Sequence, residues 1–372
     1  MTRNRGRRVG FPPEALPAFV RVAAGMVVLS LALAACESAD SESSPTASAS
    51  TPPSTRAAPG DVVTVDVLAT IPVGVDPGDV AVDPAGETAF VTNSGDGTVS
   101  VIDTGTREVA ETITVGGQPG GLAVDPAEGL IYVTSDIEGV GSVSVIDGGT
   151  RRVIDTISIG AGTGPGEVAL DPRTHSLIVA NTDETVSIVD TQTRELVETL
   201  SMPGHAIAVA VDTEKGAAFV SSGGTVTVID TATRRISATV EWGGAAQLAV
   251  DSTVGLLFVA NEAGGTVSVF DTATHERIGT VRAGGPYGPF DLATDPTAGL
   301  AYVTGGSLPP DATEEGGHWL VAIIDIDTLE VVETITWDTP SLEPSLQLAV
   351  DPATDSVYLA GVDGTVTVIA RR

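Results

Sequence analysis

A unit of about 40 residues recurs seven times along this chain, and this repetition limits the possible folds more than any other feature. Each unit begins with a short apolar run that ends in an aspartate. These aspartates lie 39 to 56 residues apart and are Asp83, Asp125, Asp171, Asp212, Asp251, Asp295 and Asp351. Self-similarity at this period is typical of repeat folds, in which one supersecondary unit packs against its neighbours.

Three more β-rich runs follow in each unit, as residues 89–93, 98–103 and 107–115 do in the first. Gly, Pro and Asp turns separate them, which indicates a four-stranded antiparallel blade. The last unit lacks a fourth run, whereas residues 62–71 match the fourth-strand pattern. We therefore predict an all-β, seven-bladed β-propeller over residues 61–372, whose last blade is completed by the N-terminal strand 62–71.

The second and third runs also carry a recognisable motif. Ala89-Phe90-Val91-Thr92-Asn93, followed by Gly97–Asp103, resembles the YVTN β-propeller repeat family, and 131–134 and 302–304 repeat parts of it. The resemblance implies a propeller fold. It also implies a place among bacterial and archaeal surface-layer and envelope proteins, within a wider seven-bladed group that includes lactonases and lyases.

The N-terminal region has the pattern of a targeting signal. Four arginines within the first eight residues precede an uncharged run, residues 22–35, which suits a signal peptide and is short for a membrane-spanning helix. The run ends in Leu33-Ala34-Ala35-Cys36, which resembles the bacterial lipobox. The resemblance implies a signal peptide over 1–35 and lipidation of Cys36; an ordinary secretory signal with an incidental cysteine is the alternative.

Residues 36–60 follow as the lipidated cysteine and a tether rich in Ser, Thr, Ala and Pro. This composition has no hydrophobic period, so we expect it to remain disordered. The protein is therefore predicted to be anchored to the cell membrane through lipid and to face outside the cytoplasm.

Composition narrows the set of partners. The chain has 18 basic and 49 acidic residues, a formal net charge of −31, which argues against nucleic acid because phosphate binding depends on Lys and Arg. The single cysteine excludes an intramolecular disulfide. We expect a monomer whose partner is an envelope protein or a small polar ligand.

Most of the recurring aspartates are predicted to be structural. The seven that end first strands are usually followed by proline, and six others end third strands before a turn: Asp103, Asp147, Asp190, Asp230, Asp271 and Asp325. Aspartate side chains accept backbone N–H groups in turns. A residue type that is present in nearly every copy is expected to stabilise each blade and not to form a single functional site.

The positions that differ between repeats are better candidates for a site. The residue four before each strand-ending aspartate is expected to line the mouth of the central channel. We define the polar members as the channel mouth: Asp79, Glu167, Gln247, Asp291 and Gln347. They predict a site for a polar ligand, and a divalent cation could bind the three acids; a solvated channel is the alternative. No other cofactor is predicted.

A second candidate is a recognition surface on the same face, where the loops depart most from the repeat. Its residues are His205, Trp242, Tyr287, Phe290, His318, Trp319 and Trp337. Aromatic side chains on a loop-rich face are typical of recognition surfaces. Alternatively, these aromatics cap the hydrophobic ends of the blades.

No catalytic constellation stands out in the folded region. It lacks a cysteine, a serine nucleophile elbow and a metal-binding histidine spacing. The sequence therefore favours a non-catalytic binding or scaffold module. The alternative is a metal-assisted lyase or lactonase-like enzyme with its site at the channel mouth. It would use Asp79, Glu167 and Asp291 as ligands or acid–base groups, with His318 as a candidate base.

Overall fold

The computed structural model describes residues 62–63, 67–241, 247–261, 264–285, 287–307, 317–339, 347–361 and 363–370. The predicted signal peptide and tether, including Cys36, lie outside this range, as does Trp242. The search of the described residues for a helix long and apolar enough to cross a membrane found none.

The described residues form 29 strands. In chain order these are β1 (Val62–Val63), β2 (Val67–Pro72), β3 (Pro77–Asp83), β4 (Thr88–Asn93), β5 (Thr98–Asp103), β6 (Glu108–Thr114), β7 (Gln118–Asp125), β8 (Leu130–Ile137), β9 (Val140–Asp147), β10 (Arg152–Ala161), β11 (Pro165–Asp171), β12 (Ser176–Asn181), β13 (Thr185–Asp190), β14 (Glu195–Ser201), β15 (Ala206–Asp212), β16 (Ala217–Ser222), β17 (Thr225–Asp230), β18 (Arg235–Glu241), β19 (Leu248–Asp251), β20 (Leu256–Asn261), β21 (Thr266–Asp271), β22 (Arg277–Arg282), β23 (Tyr287–Asp295), β24 (Leu300–Ser307), β25 (Gly317–Asp325), β26 (Glu330–Thr339), β27 (Gln347–Asp351), β28 (Ser356–Gly361) and β29 (Thr365–Ala370).

These strands form seven antiparallel blades. Blades 1 to 6 contain β3–β6, β7–β10, β11–β14, β15–β18, β19–β22 and β23–β26, and blade 7 contains β27–β29 with β2. The innermost strands contact one another in cyclic order, and β27 contacts β3 to close the ring. The predicted seven-bladed propeller is confirmed.

The N-terminal strand completes blade 7 as predicted, although it is shorter than expected. β2 pairs with β29 in antiparallel register, from Val67 opposite Ile369 to Pro72 opposite Thr365. β1 instead pairs in parallel with β26 at the outer edge of blade 6. The predicted strand 62–71 is therefore two strands on two blades.

Seven apolar clusters form the core, one at each junction between adjacent blades. At the junction of blades 1 and 2, for example, Phe90 and Val101 pack with Leu122 and Val133. Middle strands such as β4 and β13 are buried along nearly their whole length. This explains why their sequences are continuously apolar, since both faces of each blade are covered.

The fourth strand forms the exposed outer edge of each blade. Every one of the seven fourth strands carries a register shift near its start, such as that between Val101 and Ile102 opposite β6. A bulge of this kind increases the local twist and interrupts the row of unpaired backbone groups. The outer edges are therefore poor templates for edge-to-edge association.

The recurring aspartates make the predicted turn contacts. We call the segments after third strands the third-strand turns. In each of the six whose third strand ends in an aspartate, the carboxylate accepts the backbone N–H of the threonine three residues later, as Asp230 does from Thr233. In the first-strand turns, which follow first strands, Asp125 Oδ1 accepts the N–H groups of Ala127 and Glu128. The structural role predicted for these residues is confirmed.

Candidate functional site

The channel mouth is built where each first strand begins. In blades 1 and 3 the register shifts just before Val80 and Val168, so Asp79 and Glu167 lie at irregular positions of the strand. A Pro-Gly pair precedes each of these acids in the sequence. The irregular backbone directs groups away from the regular ladder, as bulges beside binding sites commonly do.

Asp79 connects blade 1 to blade 2. Its Oδ2 accepts the N–H of Leu122 at 2.8 Å, and its Oδ1 accepts the N–H of Val80 at 2.8 Å. Burial raises the pKa of Asp79 to about 6, although the two backbone bonds act in the opposite direction. Asp79 is thus both a bond between blades and a group that titrates near neutral pH.

Asp291 makes the same connection between blades 6 and 7. Its Oδ2 accepts the N–H of Leu348 at 2.7 Å, and the backbone of Leu292 supplies a second bond. The side chain is more deeply placed, since only 8% of the residue is exposed. Burial accordingly raises the pKa of Asp291 to about 8, and the nearby charge of Asp79 adds to this effect.

Glu167 is close enough to both aspartates to be affected by their charges. Burial first, and then the charges of Asp79 and Asp291, hold the pKa of Glu167 well above its usual range. A hydrogen bond to the side chain of Gln247, from blade 5, partly offsets this. The structure thus brings together four of the five predicted mouth residues.

A cavity of about 380 Å³ opens at this mouth. Asp79, Glu167 and Gln347 line it, so the fifth predicted residue also reaches the site. Gly121 replaces an acid in blade 2, and a Cβ there would lie 2.7 Å from the carbonyl oxygen of Gly166. The absence of a side chain at this position therefore lets blades 2 and 3 approach.

Threonines of the second strands contribute to the same region, a role that the sequence analysis missed. Thr92 Oγ1 accepts the N–H of Asp79 at 2.9 Å and donates to the carbonyl oxygen of Gly120, in the next blade, at 2.8 Å. Thr134 donates to the carbonyl oxygen of Gly166 at 2.7 Å. The threonine of the YVTN-like motif, repeated at this position, was the available signal.

The asparagine of the motif has an internal role as well. Asn93 is fully buried, and its Nδ2 donates to the hydroxyl groups of Thr98 and Ser100 at 3.0 Å. Its Oδ1 accepts the N–H of Gly74 at 3.0 Å. The residue therefore stabilises the turn between the second and third strands through internal hydrogen bonds, and its polar atoms are not available to a ligand.

The predicted recognition surface requires a correction at Trp319. This residue is only 6% exposed, and its ring packs edge-to-face against Phe290 with centroids 5.9 Å apart. Trp319 therefore covers the apolar end of blade 6, which was the alternative considered for these aromatics. Phe290 is half-buried beside it.

Of the other residues of that surface, the side chain of His205 is described. His205 is exposed, and its Nδ1 contacts the carbonyl oxygen of Thr182 in the preceding blade. The backbones of Tyr287, His318 and Trp337 belong to β23, β25 and β26, but their side chains lie outside the described residues. For these three, the predicted recognition role stays a prediction.

The carboxylates are not arranged as a metal centre within the part of the chain that the structure describes. No group of three or more His, Cys, Asp or Glu side chains there could hold a metal ion. Asp79 and Asp291 direct their oxygens to backbone N–H groups, which compete with a cation for the same lone pairs.

These features define a seven-bladed β-propeller with a polar, partly buried channel mouth. No family model matches the chain, and no curated protein matches it in sequence. Among solved structures, the fold is similar to that of Kuenenia stuttgartiensis hydrazine synthase, with a TM-score of 0.64 and 21% sequence identity. The similarity covers 84% of this chain and 98% of that one, and at this identity it establishes the fold alone.

Proposed function

We propose that this protein is a lipid-anchored, YVTN-type propeller of the bacterial cell envelope that acts as a non-catalytic binding module. Its ligand is a small polar molecule bound at the channel mouth. One observation carries the proposal: the carboxylates of Asp79 and Asp291 accept backbone N–H groups of the next blade. Groups engaged in this way stabilise the ring and are poorly placed to act on a substrate.

The electrostatics of the mouth favour an uncharged ligand. With a pKa of about 8, Asp291 is mainly protonated at neutral pH, while Asp79, with a pKa of about 6, is mainly ionised. Burial and the neighbouring carboxylates hold the pKa of Glu167 well above its usual range. Protonated carboxyl groups and the amides of Gln247 and Gln347 can each donate and accept hydrogen bonds. Such a rim suits hydroxyl and amide groups, and polyols or sugars are the class we expect.

A general base must be free to take a proton from its substrate, ideally with a pKa near the working pH. Asp79 meets the pKa criterion, but its oxygens already accept two N–H groups. Glu167 is hydrogen-bonded to Gln247. The arrangement therefore supports recognition by hydrogen bonds more than proton transfer.

The binding claim is tested by following the melting temperature of the full chain against a panel of neutral sugars and polyols. We expect a saturable increase with one class, and its loss in Glu167→Ala, which removes the hydrogen-bonding group. Glu167→Gln should retain most of the increase, because its amide can also donate and accept. The same samples are tested for turnover of lactones, sugar acids and lyase substrates. Turnover that is abolished in Glu167→Gln would contradict the non-catalytic role.

The metal-assisted lyase or lactonase-like alternative has a separate test. Titration with Mg²⁺, Mn²⁺, Ca²⁺ or Zn²⁺ should produce neither binding heat nor a melting shift at about millimolar concentration. A shift that disappears in Glu167→Gln would favour the metal alternative instead.

The envelope location depends on the lipobox-like residues 33–36 and the tether that follows. Acyl chains contribute about 0.8 kcal/mol per buried CH₂, and two or more anchor a protein stably. Cys36→Ala should therefore move the protein from the membrane fraction to the soluble fraction, while Ser38→Ala, a neighbouring control, should not. Retention of the Cys36→Ala protein in the membrane fraction would contradict lipidation.

A further inference from the structure

The junctions between neighbouring blades differ at two adjacent positions of the first-strand turns, on the face opposite the channel mouth. In blade 3, Arg173, two residues after Asp171, donates from its guanidinium to the carbonyl oxygens of Thr213 and Glu214 in blade 4. In blade 4, Lys215 extends towards blade 5. A cationic side chain of one blade thus bridges to the next at two consecutive junctions.

Lys215 shows how such a junction holds an ammonium group. Its Nζ donates to Thr272 Oγ1 at 3.0 Å and lies 3.3 Å from Asp212 Oδ2, which also accepts from Thr272 at 2.6 Å. Gly255 leaves the necessary space, because a Cβ there would lie 2.3 Å from Nζ. The junction is therefore a small cation site that the chain itself fills.

At the junction of blades 2 and 3 no such cation is present in the sequence. The positions equivalent to Arg173 and Lys215 are Ala127 and Glu128, and blade 2 alone has an acid at the third residue after the strand-ending aspartate. A cavity of about 430 Å³ lies there, within the size range of small-molecule pockets. We call it the junction pocket; its lining residues are Glu128, Leu130, Tyr132, His175, Thr191, Gln192 and Arg194.

The junction pocket has a buried polar floor. Tyr132 is 1% exposed and hydrogen-bonds through its hydroxyl to Thr191, the equivalent of Thr272. His175 lines the pocket and stands at the repeat position of Gly255, so a side chain is present where Gly255 leaves space for Nζ at the other junction. A bound cation would consequently lie nearer to Glu128.

A positively charged side chain, that of Arg194, lies on the blade 3 side of the pocket. Arg194 is paired with Asp155, but at 3.7 Å and with both side chains more than one-third exposed. Exposed pairs of this kind contribute little, typically about 0–1 kcal/mol. The guanidinium is thus available to a carboxylate that could engage it with two parallel hydrogen bonds.

We propose that the junction pocket binds a small zwitterion with a basic side chain, a free basic amino acid, with its cationic end at Glu128 and its carboxylate at Arg194. The next two junctions around the ring support this class, because those of blades 3/4 and 4/5 hold a guanidinium and an ammonium group from the chain itself. This site is separate from the channel mouth, so it does not depend on the function proposed there.

The test uses the imidazole signals of the full chain in a ¹H NMR titration with L-arginine. We expect the His175 signal to shift saturably with a dissociation constant of about 0.1–1 mM. The His275 signal is the internal control, since it belongs to the junction that Lys215 fills. Agmatine, which lacks the carboxylate, should bind about tenfold more weakly if Arg194 takes part.

Two variants complete the test. Glu128→Lys and Ala127→Arg each supply the cation found at the junction of blades 4 and 5 or of blades 3 and 4, and each should weaken L-arginine binding at least about tenfold. Glu276→Lys makes the same charge change at an exposed position in blade 5 and should leave binding unchanged. No saturable His175 shift up to about 20 mM L-arginine, or equal weakening in all three variants, would overturn the proposal.

Discussion

The third-strand turns and the channel mouth both use aspartates that accept backbone N–H groups, yet the pKa shifts have opposite signs. In the turns, hydrogen bonds from the threonine three residues on lower the pKa of the carboxyl group. This holds for Asp103, Asp147, Asp190, Asp230 and Asp271. At the mouth, burial raises the pKa of Asp79 and Asp291 despite similar bonds.

Solvent access accounts for the difference. A turn carboxylate keeps most of its hydration, so each N–H or hydroxyl donor stabilises the charged form further. A mouth carboxyl group has lost much of its hydration, and two backbone donors do not compensate for that loss. Aspartate therefore caps the third-strand turns in its charged form at one end of the blade. At the other end it links two blades and retains its proton to a higher pH.

The largest expected effect comes from removing a mouth acid. Asp291→Ala should destabilise the protein by about 3 kcal/mol, because the N–H groups of Leu348 and Leu292 would lose their acceptor in a buried site. Urea unfolding of the full chain measures this. Asp291→Asn keeps one acceptor and should cost about 1 kcal/mol; equal losses in both variants would argue against the backbone bonds.

The pH dependence separates the two regions more sharply. The pKa values of Asp79 and Asp291 in the folded protein are raised above the ordinary 3.8, so these groups contribute fully to the free energy of unfolding below pH 3.8. This contribution is lost as the pH rises through about 6 and about 8. The free energy of unfolding should therefore fall by about 5 kcal/mol between about pH 5 and pH 9, mostly through Asp291.

The turn aspartates should act at the other end of the pH range. Their lowered pKa gives a contribution that is present above the ordinary value and is lost as the pH falls through the folded value. In a plot of the free energy of unfolding against pH, Asp291→Asn should reduce the slope at alkaline pH alone. Asp230→Asn should reduce the slope at acidic pH alone. Thermal unfolding across pH compares the variants; identical profiles would remove the distinction between the two regions.

The smallest effect is expected in a single turn. Asp230→Ala loses the acceptor for both the N–H and the hydroxyl group of Thr233, each at 2.7 Å. Water can replace that acceptor because the turn is partly exposed, so the expected cost is about 1 kcal/mol. Urea unfolding beside Asp291→Ala provides the measurement. A loss larger than that of Asp291→Ala would reverse the proposed ranking.

Much of the fold was predictable because seven copies of one unit reveal its strand pattern. The register of the repeats also located the channel mouth, since it identified which residue in each blade departs from the pattern. The bonds at the mouth were not predictable. Asp79 meets Leu122 and Asp291 meets Leu348 only because closure of the ring brings successive first strands together.

Two predictions from the sequence were wrong for physical reasons. Trp319 was assigned to a recognition surface because tryptophans concentrate on one face in the sequence, but packing against Phe290 buries it. The outer pairing of β1 was missed because two residues carry no detectable periodicity. The first contact joins two strands of blade 6, and the second is made by a strand that lies outside the repeats, so neither follows from the pattern of a single strand.

The most direct test of the central comparison is a ¹³C NMR titration of individual carboxyl groups in the full chain. We expect midpoints of about 6 for Asp79 and about 8 for Asp291, and a midpoint for Asp230 below 3.8. Glu167 should titrate well above its usual value of 4.5. If Asp79 and Asp291 instead titrated near 3.8 alongside the turn aspartates, the proposed division between mouth and turns would be wrong.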